Sequence, residues 1–469
     1  MPLFSSLRTL TRFLFLAVAL GVPLLSAMGR RPTATPPPPN VVIIYADDLG
    51  YGDLGCYGSP TIRTPALDRM AAEGMRFTDF YSAGEVCTPS RAALLTGRYP
   101  VRSGMAGGRR VLFPESAGGL PPEEVTFAEA LRERGYLTAH IGKWHLGVHA
   151  GSRPNDQGFE LSVGLPYSND MDARPGLPRG AAASPTPPPD GWNVPLLRNG
   201  VVEEQPVDQT TLTDRYTREA LRVIDGAAGR PFLIYLAHTF PHVPLFASTS
   251  FRGRSRAGIY GDTVEELDDS VGRILRHLRE KGLAENTLVI FSSDNGPWLT
   301  QGAQGGSAGP LREGKGSTWE GGMRVPAIAW WPGRIPPAVC SAVASTLDVF
   351  PTLLALARVP VPGGLELDGR DASPLLFQTG TRSDTPFLFF RGQELMAVRL
   401  NEWKLHFQTQ AGYGGSPRER HDPPLLFHLG QDPGERRNVA SEHPERVQEL
   451  RARAERMQAE VVAVPSRLR

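Results

Sequence analysis

The chain has 469 residues, 50 Lys plus Arg against 49 Asp plus Glu, a formal net charge of +1 and 40% hydrophobic residues. That length can bury a sizeable core, in one large domain with an appendage or in two or three ordinary ones. The balanced charge gives no electrostatic reason to expect a nucleic-acid partner, so any anion binding must be local, and three cysteines exclude a disulfide framework.

The N-terminal stretch MPLFSSLRTLTRFLFLAVALGVPLLSAMGRR places Arg8 and Arg12 ahead of an apolar run that starts near Phe13 and closes on Ser26 and Ala27. This is the layout of a secretory signal peptide over 1–27, and the run is short for a bilayer span, so export without stable membrane insertion is expected. A Pro-rich linker follows over 28–39. No Asn-x-Ser/Thr acceptor with a non-Pro middle residue occurs, so a periplasmic or secreted bacterial setting suits the chain better than a lysosomal one.

From Asn40, NVVIIYADD reads as a strand buried on both faces and ending in two acids. TPALDRMAAEGM reads as a helix with Thr64 as cap, Pro65 in its first turn and Gly74 as its stop. In CTPSRAALLTG, Pro89 and Gly97 bracket a short helix that begins at Cys87. GYLTAHIGKWHLG reads as a strand end where alternation would aim Lys143 and His145 to one side. The Pro-, Gly- and Ala-dense stretch 171–192 reads as a surface loop. PFLIYLAH and NTLVIFSSDNG are further buried strands, and between them Val264, Leu267, Val271, Ile274 and Leu278 line one face of a helix.

This alternation predicts an α/β fold over 40–378: a large, mostly parallel central sheet flanked by helices. Past residue 378 the runs PFLFF, LMAVRL and EWKLHFQT, then a charged helix from Pro444, predict a smaller C-terminal antiparallel sheet with a helix over 379–469.

Asp47 and Asp48 end one strand and Asp294 and Asn295 end another, where open α/β sheets bind ligands, and these oxygens suit a hard divalent cation. Lys143, His145, His242 and Lys315, the last in a Gly-rich loop, would together make a local positive pocket. Cys87 at a helix N-terminus, with Arg91 one turn on, reads as a nucleophile with an anionic substrate held beside it.

These residues carry a resemblance. CTPSRAALLTG and GYLTAHIGKWHLG match the two signatures of the type I sulfatases of the alkaline phosphatase superfamily, and the chain resembles the branch of arylsulfatase A and N-acetylgalactosamine-6-sulfatase. The likeness runs from about Asn40 to about residue 440 through ADDLGYGDLGCYG, SSDNG, WEGGMRVPAIAWWPG and PLLFHLGQDPGER.

The resemblance implies that a formylglycine-generating enzyme oxidises Cys87 to Cα-formylglycine. One hydroxyl of its hydrate attacks the sulfur of a sulfate monoester, aryl or carbohydrate, and the other helps expel sulfate. It further implies one Ca²⁺ held by Asp47, Asp48, Asp294, Asn295 and the side chain at position 87. Arg91 and His145 would orient the hydrate, with His145 taking its proton, and Lys143 and Lys315 would neutralise sulfate. His242 with Lys315 would protonate the leaving oxygen, and Ser168 would line the sulfate pocket, with Asn169 where arylsulfatase A has a histidine. The alternatives are a phosphonate or phosphate ester hydrolase on the same fold, and an exported binding protein that does no chemistry.

Overall fold

The computed structural model describes residues 37–382, 384–413 and 417–469, so the predicted signal peptide and most of the linker lie outside the described residues. Up to residue 345 the strands are β1 (Asn40–Ala46), β2 (Met75–Phe77), β3 (Phe80–Tyr81), β4 (Leu137–Lys143), β5 (Leu161–Leu165), β6 (Leu196–Arg198), β7 (Val201–Glu204), β8 (Phe232–Ala237), β9 (Thr287–Ser293), β10 (Ala327–Trp330), β11 (Ala338–Cys340) and β12 (Ala344–Ser345). Strands β3 and β12 pair with each other, and the rest form one sheet in the order β11-β2-β10-β9-β1-β8-β4-β5-β6-β7.

The middle of this sheet, β9-β1-β8-β4-β5, is parallel throughout. Its flanks are antiparallel where β10 and then β6 and β7 add on. The β6–β7 hairpin turns on Asn199 and Gly200 at φ 49° and 79°, the positive angles that a tight hairpin turn requires.

Alternate residues of β1 enter different cores. Val42 and Ile44 pack in the cluster that holds Leu67 of α1 (Pro65–Glu73) and Val264 and Leu267 of the long helix Gly258–Glu280. Val41, Ile43 and Tyr45 pack in the cluster that holds Leu94 and Leu95 of α2 (Cys87–Thr96). Both faces are covered by helices, which explains why the strand has no polar alternation. Each fully buried Val or Ile contributes about 1.5–3 kcal/mol.

The start of α1 is capped otherwise than its sequence predicts. Thr64 makes no capping bond to the helix; its hydroxyl donates to Asp68 and accepts from the Gly55 amide. The first-turn amides of Ala66 and Leu67 donate instead to the Asp268 carboxylate at 3.1 and 2.8 Å, reaching across from the long helix. Asp268→Ala is therefore expected to lower stability by about 1–2 kcal/mol, read as a shifted urea midpoint at unchanged slope. An unmoved midpoint would show that solvent serves the two amides equally well.

The C-terminal sheet consists of β13 (Phe387–Arg391), β14 (Glu394–Leu400), β15 (Trp403–Thr409) and β16 (Glu419–His428), antiparallel in that order. The helix Pro444–Glu460 packs on it through Leu450 and Ala454. Phe387 stacks on Tyr81 at 5.1 Å between centroids. Beneath the sheet lies a buried ionic cluster. Glu320 accepts from Lys404 Nζ at 2.8 Å and pairs with Arg324 at 3.2 Å, while Glu435 pairs with His406 at 2.7 Å and Lys404 at 3.3 Å. Among the described residues no helix is long and apolar enough to cross a membrane.

Candidate active site

Strand register assembles the site. Ala46 of β1 lies beside Ser293 of β9, so Asp47 and Asp48 leave the sheet level with Asp294 and Asn295. On the other side Tyr45 aligns with Ala237 and Ala237 with Gly142, which delivers Lys143 to the same rim. Gly142 permits this approach: at φ 112°, a Cβ there would come within 1.8 Å of the Ala237 carbonyl oxygen. Asp48 turns sharply out of the strand at φ 63°, a left-handed backbone of the kind that concentrates at functional sites.

Helix α2 delivers Cys87 as its first residue, capped by no side chain at Val86. The Ser90 hydroxyl bonds Ser82 Oγ at 2.7 Å and Tyr45 Oη at 3.1 Å, and Ser82 Oγ donates to the Asp294 carbonyl. The helix start is thereby locked to the strand ends. Cys87 Sγ lies 3.6 Å from Asp47 Oδ1 and 3.5 Å from Lys143 Nζ. Burial pushes its thiol pKa up, against the pull of Lys143 and Lys315, so this cysteine is a neutral thiol and not the activated thiolate that a helix N-terminus first suggests.

Three carboxylates and three cations interleave here. Lys143 Nζ donates to Asp47 and to Ser168 Oγ, the latter at 3.0 Å, and Lys315 Nζ donates to Asp48 at 2.8 Å. Burial alone would raise the Asp47 pKa, but the charges of Lys143, Arg91 and Lys315 outweigh it and hold the carboxylate ionised. Arg91 departs from the sequence reading. Its Nε and Nη2 grip Asp294 at 3.1 and 2.8 Å, Nη2 approaches Asp47 at 3.4 Å, and Nη1 donates to the Lys143 carbonyl at 2.9 Å. The guanidinium therefore braces the acids and Lys143 and does not offer an open fork to an oxyanion.

His145 is also placed differently. Strand β4 ends at Lys143, and His145 sits at φ 59°, so a left-handed turn and not strand alternation aims it. Its Nε2 bonds the Leu112 carbonyl at 2.8 Å, and Thr88 of the CTPSR segment donates to the His145 carbonyl at 3.0 Å. Nδ1 is buried and without a partner. Burial, then the charge of Lys143, pushes the His145 pKa well down, which leaves Nδ1 as a free base. His242, just past β8, bonds the Val243 carbonyl through Nδ1 and points Nε2 at Asp48 Oδ2, 3.6 Å away. Burial and Lys315 keep it neutral as well.

Asp47, Asp48, Cys87 and His242 offer ligand atoms within 4.8 Å of one another. Asp294 and Asn295 adjoin them: Asp294 Oδ1 accepts from the Asp48 amide at 3.1 Å, and Asn295 Nδ2 donates to Asp48 Oδ1 at 2.7 Å. That leaves Asn295 Oδ1 buried with no partner. An orphaned amide oxygen among carboxylates fits a hard divalent cation.

Other contacts around the site are not encoded in any sequence motif. Asp53 accepts from the Gly50 and Ser307 amides at 2.8 and 3.0 Å and from Tyr260 Oη at 2.6 Å, which ties the loop after β1 to the loop that leads to Lys315. Asn169 spends its amide on Gln209 and on the Pro244 carbonyl, both at 3.0 Å, and so pins the turn that follows His242. Trp298 covers Lys315 at 4.3 Å and packs at a tilt against His242 at 5.4 Å, and Tyr413 packs at a tilt against Trp298 at 5.1 Å. The aromatic pair was detectable only as isolated aromatics in loops, with no pattern to link them. Cys56 and Cys340 remain free thiols.

Comparison with known proteins agrees with this geometry. The sulfatase family model matches residues 39–359, and that for the C-terminal region of aryl-sulfatase matches 382–469. Arylsulfatase A of Homo sapiens is 47% identical over 473 residues, covering 94% of this chain and 89% of that protein. N-acetylgalactosamine-6-sulfatase of Canis lupus familiaris is 42% identical, covering 88% and 84%. The crystal structure of the PsFucS1 sulfatase from Pseudoalteromonas sp. superposes with a TM-score of 0.80 at 31% identity, covering 90% of each chain. With Asp47, Asp48, Asp294 and Asn295 gathered beside Cys87 and this likeness along nearly its whole length, the chain belongs to the sulfatase family and is a sulfuric ester hydrolase.

Proposed function

We propose that this enzyme hydrolyses sulfate monoesters of aryl or carbohydrate alcohols with Cys87 converted to Cα-formylglycine beside a bound Ca²⁺. The observation that carries the reading is Cys87 itself, a neutral buried thiol held within 3.6 Å of both an acid and a lysine at a helix start. A thiol so placed is a poor nucleophile. The formylglycine hydrate supplies one hydroxyl to displace the alcohol and a second whose deprotonation releases sulfate. The oxygens of Asp47, Asp48, Asp294, Asn295 and the converted side chain would hold the cation, which supplies Lewis-acid polarisation of a sulfate oxygen.

The chain's own residues do the rest. Lys143, oriented by Ser168, and Lys315 neutralise charge on the sulfate oxygens. His145 Nδ1 accepts the proton of the hydroxyl at position 87. Lys315 and His242 stand on the leaving-oxygen side, and because His242 is neutral before substrate binds, the proton comes first from the Lys315 ammonium. Arg91 keeps the acids and Lys143 in place.

Residues 40–378 form the catalytic domain and 379–469 a subdomain in this reading. A formylglycine-generating enzyme is the maturation partner, and an exported, periplasmic or secreted protein is the mature form.

Mass spectrometry of the tryptic peptide Phe77–Arg91, together with turnover of p-nitrophenyl sulfate and its phosphate analogue, tests the proposal. An aldehyde or its hydrate at position 87 and a preference for the sulfate are expected; an intact thiol in fully active protein, or a strong phosphate preference, overturns it. Metal analysis should find Ca²⁺, and chelation should lower both activity and the thermal midpoint, each restored by Ca²⁺. Active protein free of divalent ions would rule out the ligand set.

A further inference from the structure

We infer that Arg110, Trp298 and Tyr413 build the leaving-group subsite and select sulfate esters of acidic glycans, in which a carboxylate or second sulfate lies beside the sulfated ring. The inference rests on the sulfatase reading and goes further by naming the alcohol. Arg110 is wedged between the segments that carry Cys87 and Lys315. Its Nε lies 3.3 Å from Glu85 Oε1, two residues before Cys87. The Gly316 amide donates to the Glu85 carbonyl at 2.7 Å, and a Cβ on Gly316 would come within 2.7 Å of Arg110 Nη2. The same guanidinium lies over the Tyr413 ring at 4.6 Å. Tyr413 packs at a tilt against Trp298, and Trp298 covers Lys315 and His242. A continuous chain of contacts thus leads from Lys315 and His242 through Trp298 and Tyr413 to Arg110.

Two features of this wall point to an acidic, oxygen-rich alcohol. Arg110 Nη2 and Trp298 Nε1 are both buried donors without a partner. A phenol or sterol would leave them unpaired, at the cost that unmet buried donors carry, whereas a sugar bearing an anionic group supplies acceptors for both. A second guanidinium flanks this wall. Arg391 stands close by, its Nη1 donating to the Gln410 and Ala411 carbonyls. Burial and the charge of Arg110 push its pKa down to about 10. Facing these two arginines, Glu85 is engaged by Arg110 and Glu313 by the Gly412 amide. The planar guanidinium is the donor best matched to a carboxylate or sulfate.

The test uses the mature holoenzyme and a set of monosulfated uronic-acid disaccharides that differ in sulfate position, each paired with its carboxyl-reduced form, with p-nitrophenyl sulfate as reference. The acid form of the best substrate is expected to exceed its reduced form by about tenfold or more in kcat/KM. Arg110→Gln should bring that ratio close to unity and Arg110→Lys should restore part of it. Equal turnover of the two forms by the wild type, an unchanged ratio in Arg110→Gln, or turnover of p-nitrophenyl sulfate with none of the disaccharides overturns the inference while the sulfatase reading stands. Absence of turnover on every sulfate ester, with the aldehyde verified at position 87, removes the underlying reading instead. The wild-type comparison decides the question even if the variants fail to fold.

Discussion

Cys87→Ala is expected to lower kcat by about 10,000-fold or more, because under the proposed mechanism the variant removes the one group that forms a bond to sulfur, and losses of this size accompany deletion of a nucleophile that acts as part of a unit. The fold should survive. The Cys87 side chain makes only the two long contacts with Asp47 and Lys143, and Lys143 keeps its bonds to Asp47 and Ser168. The thermal midpoint should therefore stay within a few degrees of the wild type, the shift expected for about 1 kcal/mol or less in a chain of this size. Circular dichroism and steady-state turnover of p-nitrophenyl sulfate check the two halves. Near-normal rates would dismiss Cys87 as the source of the nucleophile, and an unfolded variant would show that its role is structural.

Glu320→Ala is expected to lower the free energy of unfolding by about 3–5 kcal/mol, the usual cost of removing one partner from a buried ionic group. Lys404 and Glu320 are both fully buried, so without the carboxylate the ammonium keeps the Thr318 carbonyl, the face of Phe389 and the longer pair with Glu435. Burial alone would raise the Glu320 pKa, but Lys404, Arg399 and Arg324 outweigh it and bring it down to about 2 from an ordinary value of 4.5. The sign follows from the depressed value. The contribution is fully present above pH 4.5 and is lost as pH falls toward 2. Denaturant midpoints across that window should show the wild type losing stability on acidification and Glu320→Ala losing less. Parallel curves would mean that the cluster does not titrate with unfolding. Glu320→Leu combined with Lys404→Met, which removes both charges together, should cost much less than either single change.

The parallel middle of the sheet was legible because NVVIIYA, PFLIYLA and NTLVIFSS are runs of β-branched and aromatic residues, which only burial on two faces explains. The antiparallel flanks were not. β5 to β7 are short, although Asn199–Gly200 is a hairpin signal that could have exposed β6 and β7. β16 carries Pro423 and Pro424, which a strand tolerates at the edge of a sheet and which disguise it in sequence.

In the site, the acid pairs were readable from their strand ends, since register alone brings them level. His145 was readable as a residue type but not in its orientation, because a left-handed backbone at a non-glycine position leaves no mark in periodicity. The use of Arg91 as a brace and the meeting of Arg110 with Tyr413 depend on contacts across 203 and about 300 residues, which no local pattern encodes.

Every residue from Cys87 to Arg91 is buried, and under the proposed conversion of Cys87 that would impose an order of events on the life of the molecule. A macromolecule that edits the thiol needs this pentapeptide extended and within reach, so it must act on the nascent or unfolded polypeptide. Once α2 docks, the opportunity closes. The proportion of competent molecules in any preparation is then set by a race during biosynthesis, and later treatment of the finished globule cannot rescue those that lost it.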